Sequence, residues 1–195
     1  WLTRGDVGAV IPTFIRLAEA RFNAGPRGRL QKSLVVATAL AQRPYVGLPV
    51  SYLQMQNLRV PDSKAHPDGL ELVTAQQIGK LRYRFQSPGE PQYYAVIGTQ
   101  IQLLPEPDQG YTLEMQYFAK LPALSNSNPS NWLLADHPEV YLYGSLVHAE
   151  PYLKNDDRVA VWKALYDAVM DDLNTMDDRA MFSGSTLKMR TRSFG

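Results

Sequence analysis

The hydrophobic period changes twice along this chain, and that change limits the folds open to it. Near the N-terminus, Val7, Val10, Ile11, Phe14, Ile15, Ala18 and Phe22 recur every three or four residues, which places them on one face of a helix. Pro12 has no amide to donate, so it belongs in a first turn or at a kink. The main helix is therefore expected over about residues 12–23, stopped by Gly25-Pro26. From residue 32 to 121 the period drops towards two. Residues 33–40 are rich in strand formers, and Leu53, Met55, Asn57 and Arg59 alternate loosely with their neighbours. Tyr93–Ile97 and Gln100–Leu104 flank Gly98-Thr99, a glycine-first pair suited to a tight hairpin turn. Tyr111, Leu113, Met115 and Tyr117 then alternate with Thr112, Glu114 and Gln116, as in a half-buried strand. Together these strands predict an antiparallel meander, with one helical turn at residues 74–79.

A polar run at residues 125–130, Ser-Asn-Ser-Asn-Pro-Ser, marks the return to a helical period. Val140, Tyr141, Tyr143, Gly144, Val147 and Ala149 predict a helix over 138–153, with Asp136 as its cap and Pro151 loosening its last turn. Asp156-Asp157 is expected to open another, whose apolar face is Val159, Trp162, Leu165, Tyr166, Val169, Met170 and Leu173. Two helices joined by a few polar residues form an antiparallel hairpin. Residues 183–195 have no acidic residue and set Lys188, Arg190 and Arg192 between Leu187, Met189 and Phe194. This tail alternates like a strand but has no evident partner strand of its own.

The reading is thus an α+β protein. Residues 1–31 and 130–182 make a helical bundle, residues 32–124 an inserted antiparallel β-meander or sandwich, and residues 183–195 an extended C-terminal arm. The length suits one embellished domain or two small ones. Trp1 is not a methionine, so residues upstream are expected.

Composition narrows the function. Lys plus Arg number 20 and Asp plus Glu 19, whereas a protein that grips phosphates carries a large basic excess. No cysteine is present, which removes disulfides, thiolate zinc sites and thiol nucleophiles and suits synthesis in a reducing cytosol. No apolar stretch approaches the roughly 20 residues of a membrane helix, and no signal peptide is visible.

The inventory for catalysis is poor. His66, His137 and His148 have no second histidine at metal-ligand spacing. Adjacent acids occur at Asp156-Asp157, Asp171-Asp172 and Asp177-Asp178, but neighbours on a helix do not face one another, so they read as helix-end charge and solvated faces. Glu114 and Glu150 are the one conceivable glycosidase couple, with nothing to bring them together. No phosphate loop or nucleophile elbow appears. The expectation is no enzyme, no metal and no cofactor. The 11 tyrosines read as core and sheet packing, or as part of a protein interface.

The run Trp132-Leu133-Leu134-Ala135-Asp136-His137-Pro138-Glu139-Val140-Tyr141-Leu142-Tyr143-Gly144-Ser145-Leu146, followed by Ala149-Glu150-Pro151-Tyr152-Leu153-Lys154-Asn155-Asp156, resembles the C-terminal signature of head-to-tail adaptor proteins of tailed bacteriophages, the connector or tail tubular protein A-like class. Ile11 through Arg21 is similar to the first helix of that family. Tyr93 through Pro105 and Tyr111 through Ala123 are similar to its hairpin and following strand. The resemblance covers nearly the whole chain, though the chain starts inside what resembles a longer first segment.

The resemblance implies a ring, usually of about twelve copies, beneath the portal protein at the head–tail interface of a virion assembled in the host cytoplasm. Such a ring extends the DNA channel, lets DNA pass without sequence-specific binding, touches no membrane, and carries the tail tube, nozzle or other downstream tail protein. Leu187, Lys188, Met189, Arg190, Arg192 and Phe194 are the leading interface candidates, as an arm that adds to a strand edge on the portal or a neighbouring copy. The linker at residues 125–130 and the hairpin tip at Gly98 and Thr99 are secondary ones, the tip facing the next tail component. The alternatives are another neck or tail completion protein, a carbohydrate-binding β module with tyrosines as its platform, and last an unrecognised hydrolase.

Overall fold

The computed structural model describes residues 5–25, 31–63, 65–152 and 158–182, with side chains between 8 and 179. The chain divides into two compact units, residues 31–120 and residues 1–30 with 121–195.

The first of these is a two-sheet sandwich. Strand β1 (Lys32–Ala39) pairs along its whole length with β7 (Tyr111–Ala119), which also pairs with β3 (Tyr52–Arg59). A second sheet has the order β2-β6-β5-β4, from β2 (Tyr45–Gly47), β6 (Gln100–Leu104), β5 (Tyr93–Ile97) and β4 (Glu71–Leu72). Ala39, Met55, Leu58, Leu113, Met115 and Tyr117 from one sheet and Val46, Tyr94, Ile101 and Leu103 from the other form one buried cluster, so each sheet hides the apolar face of the other. The hairpin expected around Gly98-Thr99 is β5–β6, in the register Ile97 to Gln100. All pairings are antiparallel except β4 with β5.

The meander expected from β5, β6 and the next strand breaks after β6. β7 crosses to the other sheet and becomes its centre. The alternation expected in β3 also fails. Register shifts between Tyr52 and Gln54 and between Met55 and Asn57 rotate the strand, so that Met55 and Leu58, three apart, are both buried. Helix α2 (Ala75–Leu81) opens with a full capping box, Thr74 and Gln77 each binding the other's main-chain amide. A Gly69 φ of 111° and the nearness of Asn57 and Leu58 leave no room there for a side chain.

The second unit is helical. It holds α1 (Gly5–Ala24), α3 (Trp132–Asp136), α4 (Pro138–Tyr152) and α5 (Val159–Phe182). Phe22, Leu121, Leu133, Val140, Tyr141, Tyr166 and Met170 form its core. Helix α1 begins earlier than expected and runs through Pro12. The proline strips the Gly8 carbonyl of its helical donor, but both residues are exposed, where water satisfies the carbonyl. Asp136 is not a cap for α4; it is the last residue of α3, itself capped by Asn131. Leu165, assigned by period to the inner face of α5, is exposed, and Tyr166 and Met170 hold the core. The expected start of α5 at Asp156-Asp157 lies outside the described residues.

Candidate functional site

Buried polar chemistry in the helical unit gathers where α1 meets the segment leading into α3. Glu19, on an otherwise apolar helix face, is 6% exposed. Its Oε1 accepts from the Leu124 amide at 2.8 Å and the Tyr141 hydroxyl at 3.1 Å. Asn131 donates through Nδ2 to the Tyr141 oxygen and to the Pro122 carbonyl, while its Oδ1 accepts the Leu134 amide. Asn23 Oδ1 accepts the Leu121 amide. Burial raises the pKa of the Tyr141 hydroxyl, Asn131 opposes that, and neighbouring Glu19 adds to the rise. The network fastens residues 121–131 to α1. Every group in it is a partner to another, which is the signature of a structural clamp.

A second set lies between α4 and α5. Glu150, 2% exposed, accepts from Trp162 Nε1 at 3.0 Å, while its Oε2 and Nε2 of His148 have no hydrogen-bond partner among the described residues. Burial first, and Arg21 second, lower the His148 pKa. The Arg21 guanidinium lies 4.5 Å over the Tyr166 ring and 3.3 Å from Asp167.

The other residues weighed for chemistry are spread out. Glu114 is ion-paired with Arg59 in the β unit, whereas Glu150 belongs to the helical one. Asp171, Asp172 and Asp178 are exposed along α5. His137 sits 3.3 Å from Glu139. His66 donates its main-chain amide to Ser63 in a turn. No group of three metal-ligating side chains occurs among the described residues.

Of the interface candidates, Gly98 and Thr99 form the exposed β5–β6 tip, Gly98 with a φ of 60°. The Thr99 carbonyl accepts the Leu48 amide. Leu187, Lys188, Met189, Arg190, Arg192 and Phe194 lie outside the described residues. The sequence did not announce two further surfaces. One is the outer face of β1, with Leu34 56% and Val36 61% exposed. The unbroken run of strand formers there gave no clue to which face is wet. The other is a groove of about 360 Å³ where α5 passes the α3–α4 corner, lined by His137, Glu139, Val169, Asp172, Leu173 and Met176, among others. No helix among the described residues is long and apolar enough to cross a membrane.

A family model described as SU10 adaptor protein matches residues 1–190. No curated protein matches the sequence.

Proposed function

The chain belongs to the SU10 adaptor protein family, and from that membership we propose a ring of copies docked beneath the portal at the head–tail vertex. Membership makes the protein a structural adaptor of a phage virion. The finer reading is a ring of about twelve copies, closed by one repeated head-to-tail contact, that extends the DNA channel and seats the next tail component. It asks for no catalytic group, cofactor or base-reading surface.

The observation that supports it best is the exposed apolar surface. Leu34 and Val36 on β1, Ile11 and Leu17 on α1, Leu142 on α4, and Val161, Leu165 and Met176 on α5 all face outward. Leu34 and Val36, two apart on β1, adjoin on one outward face of the strand, and adjoining exposed apolar side chains mark a contact surface. A near-neutral charge of +1 also suits a channel through which DNA slides, since tight phosphate binding needs many unopposed cations.

The test is native mass measurement of the protein mixed with the portal ring of the same phage. Saturation at one copy per portal subunit is the expected result, and absence of any complex overturns the reading. Removing the residues after Gly184 should weaken the complex while leaving the thermal melt of the chain unchanged.

A further inference from the structure

Three cations fall within five residues of the β unit, in Lys80-Leu81-Arg82-Tyr83-Arg84. The sequence has no carboxylate from residue 72 to residue 89 to balance them. Elsewhere Arg21 is paired with Asp167 and Arg59 with Glu114. Lys80, Arg82 and Arg84 are all exposed and have no carboxylate partner among the described residues. Between them Tyr83 is 83% exposed, which leaves its hydroxyl open to a ligand.

The local fold holds these side chains outward. Ile78, Leu81 and Phe85 pack against Tyr93, Ala95 and Leu104 of β5 and β6. Beyond α2 the chain continues in tight turns, the Arg84 amide donating to the Leu81 carbonyl at 2.8 Å and the Phe85 amide to the Arg82 carbonyl at 3.2 Å. With residues 78, 81 and 85 turned to the sheet, residues 80, 82, 83 and 84 are left to solvent. The helix dipole favours a cation in the last turn of α2, and Lys80 sits there. It gives no reason for Tyr83 or Arg84, which lie past the helix. A protein interface has an apolar centre depleted of lysine, whereas the centre of this patch is charge around one tyrosine. Lysine, arginine and tyrosine are side chains that contact phosphate oxygens.

We propose that Lys80, Arg82, Tyr83 and Arg84 form a contact for the phosphate backbone of duplex DNA. The three cations neutralise phosphates, and the Tyr83 hydroxyl donates to a phosphate oxygen. Such contacts carry no sequence information. So few charges hold weakly and let the backbone slip from one phosphate to the next, which agrees with a net charge of only +1. The contact is a property of the free chain. It rests on the ring reading only for the place where DNA is met, with this turn at the channel wall.

The test is fluorescence anisotropy of a labelled duplex of mixed sequence, titrated with the full chain over a series of salt concentrations. Three neutralised phosphates predict a slope of about −2.7 in log K against log salt. Arg82→Gln with Arg84→Gln should remove about two units of that slope and weaken binding about ten-fold at low salt. Arg82→Lys with Arg84→Lys keeps the charge and should keep the slope. The control, Arg16→Gln with Lys163→Gln, removes the same charge from exposed positions on α1 and α5 and should leave affinity within about two-fold. Melting temperatures should hold in every variant, since the substituted side chains are already in water. An equal loss in the control overturns the proposal, because binding then follows net charge alone. So does an affinity that Arg82→Gln with Arg84→Gln leaves unchanged, or no binding at the lowest salt. Preference for polyglutamate over the duplex also overturns it and assigns the cluster to an acidic protein. Failure to bind the portal, with the DNA slope intact, would sink the ring and leave this contact standing.

Discussion

Glu19 is the residue whose local sequence says least about its role. It sits among helix formers on α1, and only the fold brings the Leu124 amide and the Tyr141 hydroxyl to its Oε1. Replacing it by alanine takes the acceptor from the part-buried Leu124 amide and from the Tyr141 hydroxyl, which keeps Asn131 only as a donor to its oxygen, and a buried donor left without an acceptor costs about 1–3 kcal/mol. Glu19→Ala should therefore lower the unfolding free energy by about 3 kcal/mol, while Glu19→Gln, which keeps an acceptor oxygen, recovers most of it. Urea unfolding followed by circular dichroism decides; equal losses for the two variants would contradict the clamp. His148 gives a pH test. Its folded-state pKa lies below the ordinary 6.5, through burial and then Arg21. Below 6.5 the unfolded chain takes up a proton that the folded chain refuses, so this contribution is intact above 6.5 and is lost as the pH falls towards the folded pKa. Melting temperatures measured between about pH 7.5 and about pH 5.5 should fall less for His148→Leu than for the parent chain.

At the scale of elements, the three long helices meet at Gly144. A Cβ there would lie 3.0 Å from the Ala18 Cβ and 3.2 Å from the Tyr166 ring, so even a methyl group would press on both neighbours and a larger side chain would push α1 and α5 away from α4. Gly144→Leu should cost about 3 kcal/mol through overpacking, read as a shift in the urea midpoint; an unchanged midpoint would mean the crossing is looser than described. Such features decide what the sequence discloses. The β5–β6 hairpin is legible to the residue, because Gly98-Thr99 and the flanking alternation are local signals. The start of α4 at Pro138 is legible for the same reason. The sheet that β7 joins is not, since pairing with β1 and β3 is decided by partners distant in sequence. Nor is the phase of β3, because two register shifts break the alternation. Within the candidate surfaces, the hairpin tip could be read from its turn residues. The groove could not, since it needs His137 and Glu139 to be brought to Met176 by packing.

For the molecule as a whole, β1 shows how a folded chain can remain incomplete. In the order β1-β7-β3 it is an edge strand, and its eight residues pair with β7 without a bulge. Edge strands are usually shortened, bulged or charged to prevent pairing with other chains. This one has Lys32 at its start but then presents Leu34 and Val36 outward. An adaptor gains from such an edge, because a regular strand with β7 as its one neighbour among the described strands and two outward aliphatic side chains offers a neighbouring chain both ladder bonds and apolar contact. Each buried aliphatic side chain contributes about 1.5–3 kcal/mol to an interface. In the proposed portal complex, the double substitution Leu34→Lys with Val36→Lys should accordingly weaken assembly about a hundred-fold or more, seen as loss of the bound species at concentrations that saturate the parent. The melting temperature of the free chain should hold within a few degrees, since both side chains are already in water. If the variant assembled as well as the parent, β1 would face solvent in the particle, and the subunit contact would have to be sought on the exposed apolar residues of α1, α4 and α5.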